Sequence, residues 1–90
     1  MILTASNATV TIPTLPGEET YISALGTWNG ATVTVQSYVD GAWRAVPDGA
    51  FTADFEIVRT NGPGTELRAL LTSAGGSTSL SVNLTNLPTA

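Results

Sequence analysis

The sequence has 90 residues, a formal net charge of -4, 11% charged residues, and neither cysteine nor histidine. These totals remove disulfides, thiolate metal sites, a cysteine nucleophile and the commonest acid–base side chain. Three scattered arginines in an acidic chain cannot neutralise a run of phosphates, which argues against nucleic acid as a partner.

A single domain over residues 1–90 is expected, with short arms at 1–7 and 86–90. A chain this small hides only about two-thirds of the surface its unfolded form exposes, so the core is thin, and burying a face against a neighbour would enlarge a small net stability. Met1-Ile-Leu-Thr has no basic or continuous apolar stretch, and no run approaches membrane-spanning length. The expectation is a soluble protein made in a cytoplasm, with no signal peptide and no membrane contact.

Ala8-Thr-Val-Thr-Ile12 alternates apolar and polar residues and stops at Pro13, before a turn-rich Pro16-Gly17 connection. Thr20-Tyr-Ile-Ser-Ala-Leu25 reads as a second strand closed by Gly26, with Glu18 and Glu19 solvated at its entrance. Ala31 to Val46 is a β-hairpin about Asp40-Gly41, with Ala31, Val33 and Val35 on one face and Thr32, Thr34 and Gln36 on the other. A two-residue loop would pair Tyr38 with Trp43 on the threonine face. A three-residue Val39-Asp40-Gly41 loop would turn Trp43 onto Val33 and Val35, and the apolar area so hidden favours this second register.

Phe51 to Val58 alternates without a break, placing Phe51, Ala53, Phe55 and Ile57 inward and Thr52, Asp54 and Glu56 outward. On this assignment Phe55→Ala should cost about 3 to 5 kcal/mol. After the Thr60-Asn-Gly-Pro-Gly64 loop, Glu66 to Thr72 returns with Leu67, Ala69 and Leu71 inward; pairing Ile57 with Leu67 would also set Glu56 opposite Arg68. Beyond the Ser73 to Ser77 turn, Thr78 to Thr85 points Leu80, Val82 and Leu84 inward. About seven short strands without helical periodicity predict an all-β, antiparallel β-sandwich, with a partly open barrel as the alternative.

Asp54 and Glu56 are the one carboxylate pair at catalytic spacing, about 7 Å apart along a strand face. Alternating carboxylates on a solvated face more simply keep a strand soluble and guard it against wrong pairing, and catalysis would also demand a cleft. Asp40, Asp48 and Asp54 match no calcium loop, and the first two precede glycines in the manner of turns. Gly62-Pro63-Gly64 and Gly75-Gly76 lack the helix and lysine of a phosphate cradle. Asn7-Ala8-Thr9 and Asn83-Leu84-Thr85 match the glycosylation pattern as expected by chance in a threonine-rich chain. No catalytic, cofactor or metal residue is assigned, and an enzyme is not expected. Tyr21, Trp28, Tyr38 and Trp43 are the aromatics open to a sugar-stacking role, with Trp28, in a turn, the better placed for partner contact.

Leu25-Gly-Thr-Trp-Asn-Gly-Ala-Thr-Val-Thr-Val-Gln36, then Asp40-Gly-Ala-Trp-Arg-Ala-Val46 and Glu66-Leu-Arg-Ala-Leu-Leu-Thr72, resemble the strands of small β-sandwich structural proteins of tailed bacteriophages. As one domain without a shaft or coiled coil, the chain is most similar to capsid decoration, or cement, proteins. The resemblance implies a virion protein on the outer capsid surface, made in the host cytoplasm. It would be a homo-oligomer, expected as a trimer, that clamps neighbouring major capsid proteins. An arm such as Met1 to Ser6 or Asn86 to Ala90 could then add a strand to a partner's sheet. The alternative is a tail, fibre or baseplate module that binds another virion protein, or a host glycan through Trp28 and exposed tyrosines. No binding residue carries over from the family.

Overall fold

A computed structural model describes residues 1–87. Among them are eight strands: β1 (Ile2–Leu3), β2 (Thr9–Pro13), β3 (Glu19–Thr27), β4 (Thr32–Val39), β5 (Ala42–Phe51), β6 (Phe55–Thr60), β7 (Glu66–Thr72) and β8 (Ser79–Leu87). They form two four-stranded sheets, ordered β1-β8-β3-β6 and β2-β7-β4-β5. Every neighbouring pair is antiparallel. Two Greek keys wound in this order make a jelly roll. The sheets face each other as an open sandwich and do not close into a barrel.

One aliphatic core lies between the sheets. Ala31, Val33 and Val35 from β4 and its entrance, Leu67, Ala69 and Leu71 from β7, and Leu80, Val82 and Leu84 from β8 meet Ile22, Ala24 and Leu3. The inward faces of β4, β7 and β8 are those the alternation predicts. The aromatic rings stay at the margin, where Trp28, Phe51 and Phe55 are half-buried against this core.

The stretch Phe51 to Val58, expected as a single strand, is broken at a corner. Phe51 ends β5 in one sheet, Phe55 begins β6 in the other, and their rings stack across the turn with centroids 3.7 Å apart and planes at 12°. Both halves aim apolar side chains into the same interior, so alternation runs on through the corner and conceals it; Ala53 within the turn is exposed.

The predicted Ile57–Leu67 pairing fails for a related reason. The 61–65 loop crosses from one sheet to the other, so β6 pairs with β3, setting Ile57 opposite Ile22, while β7 lies between β2 and β4. Glu56 and Arg68 are therefore on opposite outer faces of the sandwich.

The hairpin takes the two-residue register, not the three-residue one that apolar area favours. Asp40 and Gly41 have φ of 52° and 77°, the left-handed pair of a two-residue type I′ turn, which a short polar residue and a glycine accommodate. Tyr38 then pairs with Trp43 on the outer face. The indole finds cover there from the Tyr38 ring, 5.1 Å away at 67°, and from the Arg68 guanidinium carbon, 4.3 Å from its centroid. Inside, Val46 and Phe51, and not Trp43, are the β5 side chains that pack against the core.

The N-terminal segment is no free arm. Ile2 and Leu3 pair with Ser81 and Leu80, Val82 N donates to Met1 O at 2.8 Å, and Leu3 is buried. Asn86 and Leu87, assigned to a C-terminal arm, continue β8 opposite Thr20 and Glu19. Residues 88–90 lie outside the described residues.

Candidate interaction surfaces

Asp54 sits in the corner between β5 and β6, where one carboxylate oxygen accepts from Trp28 Nε1 at 2.7 Å and from Gly26 N at 3.1 Å. Trp28 is further fixed through its carbonyl, which accepts from Ala31 N at 2.9 Å and from the buried Thr78 hydroxyl at 2.8 Å. The residue expected to be the better placed for partner contact is thus a half-buried wedge, latched by one of the two carboxylates that stand at catalytic spacing in the sequence. Glu56 lies on the outer face of β6 and accepts from the Tyr21 hydroxyl at 3.0 Å. The two carboxylates serve separate neighbours, Asp54 the Trp28 indole and Gly26 amide, Glu56 the Tyr21 hydroxyl.

Asp40 and Asp48 occupy left-handed turn positions, with φ of 52° and 54°. Among the described residues, no group of three acidic side chains is placed to hold a metal ion. Thr20, buried in β3, donates its hydroxyl to Asn61 Oδ1 at 2.9 Å, and Asn86 Nδ2 donates to Pro13 O at 2.8 Å. These bonds pin the loop after β6 and the end of β8 to the body of the fold.

Two outer faces remain. On the β2-β7-β4-β5 sheet, cross-strand pairing places Thr11, Arg68, Gln36 and Ala45 in one row, with Tyr38 and Trp43 beside it. Arg68 Nε donates to Gln36 Oε1 at 2.7 Å while its guanidinium covers one face of the indole. Sequence reasoning missed this ledge by turning Trp43 inward; the Asp-Gly dipeptide, the strongest short hairpin signal, pointed to the correct turn.

On the β1-β8-β3-β6 sheet, rows of paired residues run Ile2–Ser81–Leu25, Asn83–Ser23–Glu56 and Thr85–Tyr21–Val58. Ile2, Leu25 and Val58 are 60%, 42% and 52% exposed, three of the five large apolar side chains left open to solvent among the described residues. Small hydroxyl and amide groups separate them, so the face is low, weakly charged and partly apolar.

The geometry defines a jelly-roll sandwich whose chemistry-bearing side chains mostly brace its own loops, and whose β1-β8-β3-β6 sheet leaves Ile2, Leu25 and Val58 exposed on its outer face. Comparison with protein-family models, with curated proteins and with solved structures finds no match.

Proposed function

We propose that the protein is a virion structural protein, a decoration protein on the outside of a tailed-phage head that steadies contacts between major capsid proteins. It would act by buried surface and not by bond chemistry. The observation that carries this reading is that Ile2, Leu25 and Val58 are left exposed on the outer face of the β1-β8-β3-β6 sheet, Ile2 and Leu25 in one row and Val58 two rows away on β6. A partly apolar face spaced by serine and asparagine can lie against a broad partner surface, and contacts repeated across a lattice reach high avidity even where each is small. Jelly rolls recur in viral capsids and also in lectins, so the fold is compatible with the proposal by analogy alone.

The alternative, a tail, fibre or baseplate module binding a host glycan, would rest on the Tyr38–Trp43 ledge, since Trp28 is packed and latched. Arg68 already occupies one face of that indole, which leaves less ring for a sugar. Co-sedimentation of the purified protein with empty tailed-phage heads tests the proposal. Saturable binding that raises the temperature at which heads rupture is expected; absence of binding, together with binding on a glycan array, would replace it with the alternative.

A further inference from the structure

Each sheet has two edge strands, and three of the four are blunted against pairing with another chain. β1 has two residues; β2 ends in Pro13; β5 carries Pro47 in a bulge, where its register against β4 slips between Thr34 and Gln36. Short edges, prolines, bulges and charged side chains are the usual guards against edge-to-edge association. β6 has no proline, bulge or shortness to protect it, and is guarded by charge alone, Glu56 outward and Arg59 inward. It is a proline-free run of six residues, Phe55-Glu-Ile-Val-Arg-Thr60, in unbroken register with β3 and at the border of its sheet. Beside it lies a groove of about 280 Å³, lined by Val46, Pro47, Asp48, Ile57 and Arg59.

We propose that β6 is a self-association edge: two copies of the chain pair their β6 strands antiparallel about a two-fold axis through Val58, forming one continuous eight-stranded sheet. A second copy is the occupant that the residues fit. Directly opposed residues in an antiparallel pair share a face, so a two-fold pairing must centre on a residue, and the choices are Ile57 and Val58. Centring on Val58 buries the exposed valines against each other and sets Glu56 opposite Thr60. Centring on Ile57 would press each Glu56 against the other copy's Val58.

In the Val58 register the two Glu56 side chains stand about 13 Å apart along the strands, and no like charges are directly opposed. The inward-facing Arg59 lines its own copy's groove together with Asp48, and in this register it stands opposite the other copy's Ile57. The pairing also ends itself, because it consumes both open edges and leaves only blunted ones. It goes beyond the decoration reading and does not rest on it, since it concerns the purified chain alone. It yields a dimer where the phage resemblance implies a trimer.

Native mass spectrometry and light scattering on the purified protein at about 100 µM provide the test. Wild type is expected at twice the chain mass and Val58→Lys at the monomer mass, with the circular dichroism melt retained because the side chain points to solvent. The chain has no cysteine of its own, so Val58→Cys should give a disulfide-linked dimer on mild oxidation, and Leu25→Cys, on the same face but away from the edge, should not. A monomeric or trimeric wild type, a dimer that survives Val58→Lys, or equal cross-linking of the two cysteine variants would overturn the proposal. The cross-linking comparison decides the matter even if the lysine variant fails to fold.

Discussion

Removing the Asp54 carboxylate should loosen the corner that joins the two sheets. Its Oδ1 holds the Trp28 indole N–H at 2.7 Å and the Gly26 amide at 3.1 Å, and Trp28 in turn packs on the core and anchors Thr78 through its carbonyl. Hydrogen bonds to a charged group are worth about 1.5 to 3 kcal/mol each when shielded. Asp54 is exposed, so water partly replaces it, and Asp54→Ala should cost about 1 to 2 kcal/mol. In a domain of this size that corresponds to a fall of roughly 4 to 16 °C in melting temperature. Asp54→Asn keeps an acceptor and should lose about half as much. In a Trp28→Phe background the alanine substitution should cost about 1 kcal/mol less, because the indole donor is already gone. Melting followed by circular dichroism and tryptophan emission reads all three. A melt of Asp54→Ala indistinguishable from wild type, or strict additivity with Trp28→Phe, would refute the latch.

Gly26→Ala should be more severe. The residue has φ of 141°, and a Cβ there would run into the carbonyl oxygen of Ser79 across the β3–β8 ladder, so backbone strain alone costs about 1 to 3 kcal/mol and denaturant titration should show at least that loss. A double-mutant cycle on Tyr38 and Trp43 should give a coupling of about 0.5 to 1.5 kcal/mol for the edge-to-face pair; zero coupling would indicate the other hairpin register. Phe55→Ala should cost about 2 to 3 kcal/mol, below the range for a fully buried phenylalanine, because the ring is half-buried at the corner.

The faces of β4, β7 and β8 could be read from sequence because each strand lies wholly within one sheet and period-two alternation reports which side meets the core. What escaped is what alternation cannot carry. It does not say which strands are neighbours, so β6 and β7, adjacent in sequence, were paired although the jelly roll separates them. It survives a corner when both arms face one interior, which is why Phe51 and Phe55 seemed to share a strand. A two-residue strand such as β1 has no period to detect. For the candidate sites, counting apolar area misplaced Trp43, because Tyr38 and Arg68 cover its ring on the outer face without the core. Trp28 looked available in a turn because its partners, Asp54 and Thr78, are far along the chain.

The proposed decoration role stands most directly on which face meets a partner, and a binding isotherm on empty tailed-phage heads tests it with three proteins: wild type, an Ile2→Ser/Leu25→Ser variant, and Trp43→Ala. The account predicts a fixed, saturating number of copies per head for wild type and Trp43→Ala, and affinity at least tenfold weaker for the variant of the β1-β8-β3-β6 face. Full binding by the serine variant together with loss of binding by Trp43→Ala would contradict it and assign the work to the opposite sheet.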